Sequence, residues 1–258
     1  MAKKATSDFD RFTKASTVSK QRIIAASFGE VGMLKTSFWL TAPGPIVIQS
    51  TDQGLEGVVD VYLQNLLAET GQTKDIYVVE YDPMVGVMAQ EEAVEIRNKF
   101  IEDFEHALTV AKTVVWDKET GVYEIFKYAE FGAPSDTPSN YYSLDQRYRH
   151  VVNLAKGSDV NFGLIQGMRD AWAPKVNKKT GAQGAAKTEE RIRRGMREIE
   201  ELVHINLHHD REDDRFVLKV GKSRGPGGRD CQNSTIDYCD FQTFAQLIFP
   251  TSSPEDWV

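Results

Sequence analysis

The segment that most constrains this chain is Gly29-Glu30-Val31-Gly32-Met33-Leu34-Lys35-Thr36. It follows Arg22-Ile23-Ile24-Ala25-Ala26-Ser27-Phe28, which reads as a buried strand, and it opens a short helix from Lys35 to Thr41 that stops at Pro43-Gly44-Pro45. A strand, a glycine-punctuated turn and a helix N-terminus in that order make an anion cradle. Backbone N–H groups of the turn and of the first helical turn converge on one point. The residues match Gly-x-x-x-x-Gly-Lys-Thr except at Leu34, which stands where the second glycine belongs. Lys35 is the cation for β- and γ-phosphates, Thr36 offers a hydroxyl to Mg²⁺, and Ser37 completes the stretch expected to line the phosphates. A glycine at position 34 would let the backbone approach phosphate closely at no conformational cost. Leucine demands a side chain turned away or a reshaped loop. Phosphate binding is therefore the expectation, and hydrolysis is the open question.

Apolar runs and helical periodicities alternate along the rest of the chain. Strands are expected at Pro45–Ser50, Asp75–Tyr81, Lys112–Asp117 and Val160–Gln166. Helices are expected at Leu55–Ala68, over 90–110, after Asp117 to about Tyr128 and at Tyr141–Lys156. In the 90–110 segment Ile96, Phe100, Phe104 and Leu108 recur every four positions, and the acidic residues around them read as a solvated face. Leu202–His209 and Arg215–Val220, separated by the charged turn Asp210–Asp214, read as a hairpin. Alternation of this kind implies an α/β fold, with a mostly parallel sheet covered by helices on both faces and a C-terminal β-hairpin. Such sheets bind ligands beyond the carboxyl ends of their strands.

Two carboxylates are expected at that edge. Thr113-Val114-Val115-Trp116-Asp117 is an apolar strand closed by an acid, placed to hold Mg²⁺ through water, although an Asp there also suits a helix N-cap. After the second strand comes Thr51-Asp52-Gln53-Gly54-Leu55-Glu56. Asp52 or Glu56 fits a base for the attacking water, and Asp52 equally fits a helix cap.

The order of these motifs resembles the RecA-like recombination ATPases, most closely the compact phage-encoded RecA-like proteins that work with single-strand annealing proteins. The resemblance spans residues 21–224, includes the phrases Thr-Ala-Pro-Gly-Pro-Ile and Arg-Phe-Val-Leu-Lys-Val-Gly-Lys-Ser-Arg, and departs from the family mainly at Leu34. It implies a RecA-like P-loop NTPase core that binds ATP and Mg²⁺ through Thr36 and Asp117, with a base at Thr51-Asp52. It also implies a γ-phosphate sensor at Gln166, a DNA-binding loop over 168–194, and Lys222 and Arg224 reaching a neighbouring subunit's ATP. A DNA-stimulated ATPase acting as a ring or filament in phage recombination or annealing follows from it. So do single-stranded DNA, further copies of the chain and an annealing or single-strand-binding protein as partners.

The segment 168–194 reads as a long loop on its own composition. Arg169, Lys175, Lys178, Lys179, Lys187, Arg191, Arg193 and Arg194 face only Asp170, Glu189 and Glu190 there, inside a protein of net charge −7. Trp172 adds a stacking surface, so the segment suits single-stranded nucleic acid. His204, His208 and His209 with Cys231 and Cys239 raise the thought of zinc. Neighbouring strand residues point to opposite faces, however, and no Cys-x-x-Cys spacing accompanies them.

Residues 1–20 read as a polar arm carrying Phe12-Thr13-Lys14-Ala15, in which Phe12 and Ala15 resemble a Phe-x-x-Ala subunit tether. Residues 225–258 read as a C-terminal extension. The longest apolar runs fall far short of a membrane span, the N-terminus lacks a signal-peptide core, and two cysteines make no disulfide framework. A cytoplasmic protein is expected, within the host cell if the gene is a phage's. Two other readings compete: a nucleotide-binding scaffold that no longer hydrolyses ATP, which Leu34 favours, and a helicase or packaging motor, which the absence of an evident second motor or nuclease segment disfavours.

Overall fold

Alternate residues of the central strands feed two different cores. A computed structural model describes residues 21–55, 57–82, 89–132, 141–176, 183–196, 198–225 and 227–257. In β1 (Ile24–Phe28), Ile24 and Ala26 enter one core while Ala25 enters the other. In β4 (Thr113–Asp117) Val114 and Trp116 face the first core and Val115 the second; in β5 (Asn161–Gln166) Phe162 and Leu164 oppose Ile165 in the same way. Strands buried on both faces must be apolar along their length, as these are.

These three strands are joined by β2 (Ile46–Ser50), β3 (Ile76–Glu80), β8 (Ile205–Glu212), β9 (Arg215–Ser223) and β10 (Ser234–Asp237). One eight-stranded sheet results, in the order β10-β9-β8-β1-β5-β4-β2-β3. The strands β8, β1, β5, β4, β2 and β3 run parallel, and β9 and β10 are antiparallel additions at one end. The expected α/β class with a mostly parallel sheet and a late hairpin is therefore observed.

Helices cover both faces. The first core receives α3 (Gln90–Val110), α4 (Glu119–Phe131), α5 (Tyr141–Gly157) and the short α6 (Ile199–Leu202) through Phe100, Phe104, Ile125, Phe126, Tyr148 and Ile199. The second core receives α1 (Lys35–Leu40) and α8 (Phe241–Ile248) through Phe38, Trp39, Phe241 and Phe244. Trp39 is pinned to the sheet by its indole N–H, which donates to Ser27 Oγ at 2.9 Å. That contact fixes α1, and hence the turn before it, against β1. The helix α2 (Val58–Thr70) buries no residue fully and leaves Val61 and Leu67 exposed, because it lies near the open end of the sheet.

Three features differ from the sequence expectation. Residues 168–194 are not one long loop: β6 (Met168–Val176) and β7 (Gln183–Arg193) pair antiparallel as a separate ribbon, bulged between Asp170 and Trp172. A ribbon needs only backbone partners, so its Lys-, Gly- and Ala-rich composition did not announce it. The turn between β8 and β9 is only Asp213-Asp214, both at positive φ, so strand continues through Glu212. Residues after 224 add α7 (Gly228–Cys231), β10 and α8 to the same sheet and core, and Trp257 is buried there. Phe12, Ala15, Glu56, Lys178 and Lys179 lie outside the described residues, as do the side chains of Trp172, Lys175 and Lys187.

No helix among the described residues is long and apolar enough to cross a membrane.

Candidate functional site

The turn after β1 is shaped by close approach. A Cβ on Gly29 would lie 2.3 Å from the His209 carbonyl of β8, so only glycine lets the chain leave the sheet there. Gly32 has φ 83°. Leu34 takes φ 55° and ψ 22°, the left-handed conformation that glycine at this position would adopt freely. The loop therefore keeps the glycine shape with a leucine in it, and the answer to the sequence's one mismatch is a strained backbone rather than a reshaped turn.

Lys35 folds back over the loop. Its Nζ donates to the Gly29 carbonyl at 3.0 Å and to the Glu30 carbonyl at 2.6 Å. Burial pushes its pKa down, while Asp117 and Glu30 pull it up. Thr36, one residue on, donates Oγ1–H to Asp117 Oδ2 at 3.2 Å, which brings the two expected Mg²⁺ ligands together at the carboxyl edge of the sheet. Asp117 is not the cap of α4. That position is Lys118, which sits at φ 68° and makes no side-chain cap. Burial raises the Asp117 carboxyl to about 6, offset in part by the Thr36 hydrogen bond.

The edge of β2 is welded to the edge of β4. Thr51 N–H donates to the Asp117 carbonyl at 3.0 Å and Thr51 Oγ1–H to the Lys118 carbonyl at 2.7 Å. Lys118 Nζ reaches Asp52 Oδ2 at 2.9 Å. Asp52 does not cap α2, whose cap is Gly57.

Gln166 ends β5, the strand between β1 and β4, and is fully buried. Its Nε2 donates to Glu119 Oε2 at 2.9 Å. Glu119 is also fully buried, accepts the Tyr148 hydroxyl and a backbone hydrogen bond from Met196, and lies near Arg193. Burial raises its pKa, and those donors and the Arg193 charge oppose the rise. A Cβ on Gly195, which has φ 112°, would come within 2.0 Å of Glu119 Oε2. The chain leaving the ribbon is thus clamped on this carboxylate. Sequence reading missed both Glu119 and Lys118. An acid in the first turn of a helix ordinarily answers the helix dipole, so nothing in the sequence marks this one as buried.

Below the ribbon, Arg193 stacks over the Phe28 ring at 4.4 Å and pairs with Glu200, and burial brings its pKa down to about 10. Arg191 bridges Asp170 at 2.8 Å and Glu30 at 2.9 Å. Arg169 and Arg194 are exposed.

Lys222 and Arg224 lie elsewhere. Ser223 pairs with Ile205 at the amino end of β8, whereas Phe28, just before the phosphate loop, pairs with His208. Lys222 Nζ donates to the Val203 carbonyl at 2.9 Å and to Glu200 O; Arg224 is exposed. Both belong to the sheet edge opposite Lys35. His209 is buried with a pKa pushed to about 3 by burial and by Lys35, and His204 to about 4 by burial and the cations around it. Among the described residues no group of three or more His, Cys, Asp or Glu side chains is placed to hold a metal.

Comparison with protein-family models and with curated proteins gives no match.

Proposed function

We propose that this protein is a RecA-like P-loop NTPase that binds ATP with Mg²⁺ and acts on single-stranded DNA as an oligomer. The observation that carries the reading is the meeting of Lys35, Thr36 and Asp117 beside a glycine-shaped turn, with Thr36 Oγ1 and Asp117 Oδ2 at 3.2 Å. A hydroxyl and a carboxylate are hard oxygen donors of the kind Mg²⁺ takes, and the N–H groups of α1 supply the anion cradle. Bound Mg²⁺ would offset charge on the phosphates. Asp52 is then the group that takes a proton from water as the water oxygen bonds to the γ-phosphorus and the bond to ADP breaks.

The ribbon of β6 and β7 is tied to the phosphate loop by the Arg191–Glu30 ion pair, and it belongs to the strongly basic stretch of sequence from 168 to 194, which suits the phosphates of a single strand. Its expected partners are single-stranded DNA, further copies of the chain, and an annealing or single-strand-binding protein, in phage recombination or annealing. Gln166, held inward by Glu119, favours a second reading in which ATP is bound and not hydrolysed and the chain serves as a scaffold.

Hydrolysis measured with and without single-stranded DNA separates the two. The ATPase reading expects ADP formation that rises with DNA and vanishes in Lys35→Ala. Lys35→Ala binding labelled ATP as tightly as the parent would remove the phosphate-loop assignment. Neutralising Lys175, Lys178 and Lys179 together is expected to flatten the salt dependence of DNA binding; an unchanged slope shows that the segment 168–194 does not touch phosphate.

A further inference from the structure

Two residues of the described site hold left-handed backbone without being glycine. One is Leu34 in the phosphate loop and the other is Lys118, at φ 68°, directly after Asp117. Strain of this sort persists only where the surrounding structure imposes it, and it gathers at functional positions. At Lys118 the imposing contacts are visible. The Lys118 carbonyl accepts from Thr51 Oγ1 at 2.7 Å, and the preceding carbonyl, of Asp117, accepts from Thr51 N at 3.0 Å. The turn is thereby fixed to the end of β2, one residue before Asp52. Its side chain then crosses back to Asp52, with Nζ 2.9 Å from Oδ2. Oδ1 takes no hydrogen bond among the described residues, so one carboxylate oxygen is held and the other is presented.

We propose that Lys118 is a positioning residue for hydrolysis: it fixes the Asp52 carboxylate through Oδ2 so that Oδ1 faces the attacking water. This rests on the reading above in which Asp52 is the base. A solvent-exposed ion pair adds little to fold stability, and 46% of the Lys118 side chain and 47% of that of Asp52 are exposed. The backbone of the turn gains its two hydrogen bonds from Thr51 whatever side chain stands at 118, so the lysine itself, which makes only a weak surface pair, has no evident return in stability. It has one in geometry, because a base displaced by about 1 Å can lose a hundredfold in rate. Asp117, the Mg²⁺ ligand, precedes Lys118, so a single turn sets the metal ligand and the base together.

The test compares Lys118→Met, Lys118→Arg and Lys118→Gly with the parent as full chains, measuring kcat, KM for ATP, the Kd of a non-hydrolysable ATP analogue with Mg²⁺, and the thermal midpoint. Lys118→Met is expected to lose about tenfold or more in kcat with analogue Kd within about twofold of the parent. Lys118→Arg is expected to recover most of that loss, since a guanidinium can also hold Oδ2. Lys118→Gly is expected to lose kcat as Lys118→Met does while its thermal midpoint holds or rises, because glycine relieves the left-handed backbone. A merely structural lysine would show the reverse, with rate following stability. Unchanged kcat in Lys118→Met overturns the proposal, as does a loss of analogue affinity equal to the loss of kcat, or an arginine variant no better than methionine. A parent chain that forms no ADP overturns the ATPase reading and this inference together; a hydrolysing parent with an unaffected Lys118→Met overturns this inference alone.

Discussion

Arg191 in the basic ribbon and Glu30 in the phosphate loop form an ion pair, with guanidinium Nη2 2.9 Å from the carboxylate Oε1. The same guanidinium holds Asp170 across the ribbon at 2.8 Å. A segment read as nucleic-acid-binding is thereby tied to the segment read as phosphate-binding through one side chain. The pair is half exposed, so it contributes on the order of 0–1 kcal/mol to folding.

Arg191→Ala is therefore expected to change the unfolding free energy measured in urea by less than about 1 kcal/mol. The same variant is expected to bind single-stranded DNA with an affinity that no longer depends on whether ATP is present. Fluorescence anisotropy with labelled oligonucleotide, with and without nucleotide, checks this. An ATP effect equal to the parent's shows that the ion pair is incidental.

Leu34→Gly addresses the loop directly. Leucine at φ 55° costs about 1 kcal/mol relative to a residue free of Cβ, and glycine gives back part of that through the entropy of the unfolded chain. The expected result is a thermal midpoint within about 3 °C of the parent and ATP affinity equal to or better than the parent's. Calorimetry and a nucleotide titration measure both. A marked loss of ATP affinity would mean that the leucine side chain itself contacts the ligand.

Much of this site was legible because it depends on local chemistry. A strand, a turn with glycines and a lysine–threonine pair announce an anion cradle in a few residues, and α3 follows its four-residue apolar repeat from Gln90 to Val110. The stripe Phe241, Phe244, Ala245, Ile248, begun by Asp240 accepting the Thr243 N–H at 2.8 Å, carries the same kind of local signal but went unread, since residues 225–258 were expected to be only an extension. It shows that the core does not stop at residue 224. What stayed hidden depends on contacts between distant segments. Glu119 becomes a buried clamp only because Tyr148, Gln166 and Met196 reach it from three other places in the chain. The ribbon of β6 and β7 rests on backbone pairing that composition does not encode.

The raised carboxyl of Asp117 makes a prediction about pH. Its folded value is about 6 against an ordinary 3.8, so the folded state holds this proton more tightly than the unfolded chain. Between those two values the folded state carries more protons, and stability falls as pH rises. Above about 6 the cost is complete, on the order of 3 kcal/mol. Asp117→Asn keeps an acceptor for Thr36 and removes the buried charge. It is expected to be more stable than the parent at pH 7.5 by about that amount, with the difference shrinking toward pH 4. Mg²⁺ with ATP should raise the parent's thermal midpoint and leave that of Asp117→Asn unmoved. Equal stability of the two proteins at pH 7.5 would show that the carboxylate is not desolvated.

Arg224 yields the last prediction, from its place on the sheet. Arg224 N–H bonds the His204 carbonyl at 3.2 Å, at the amino edge, and Phe28 aligns with His208 four residues further along β8. At about 3.3 Å per residue, the exit of β1 into the phosphate loop lies roughly 13 Å from Arg224 along the strand direction, and at the opposite edge. Arg224 therefore does not reach the proposed nucleotide site of its own chain in this fold. If it acts in hydrolysis it acts on a neighbour's ATP, where a cation stabilises the charge of the transition state and is worth about a thousandfold or more. Lys222, whose Nζ already donates to two backbone carbonyls, is expected to hold the β9 terminus while Arg224 makes the contact. Arg224→Ala and Asp117→Asn should each be nearly inactive alone. Mixed in equal amounts, they should form interfaces in which an intact Asp117 faces an intact Arg224. Random assembly makes that about a quarter of all interfaces, so about a quarter of parental activity should return. The recovery should rise with protein concentration, because it needs assembly. ATP hydrolysis by Arg224→Ala at the parental rate, with DNA present, would exclude the finger; an inactive variant that no mixture restores would exclude its action between subunits.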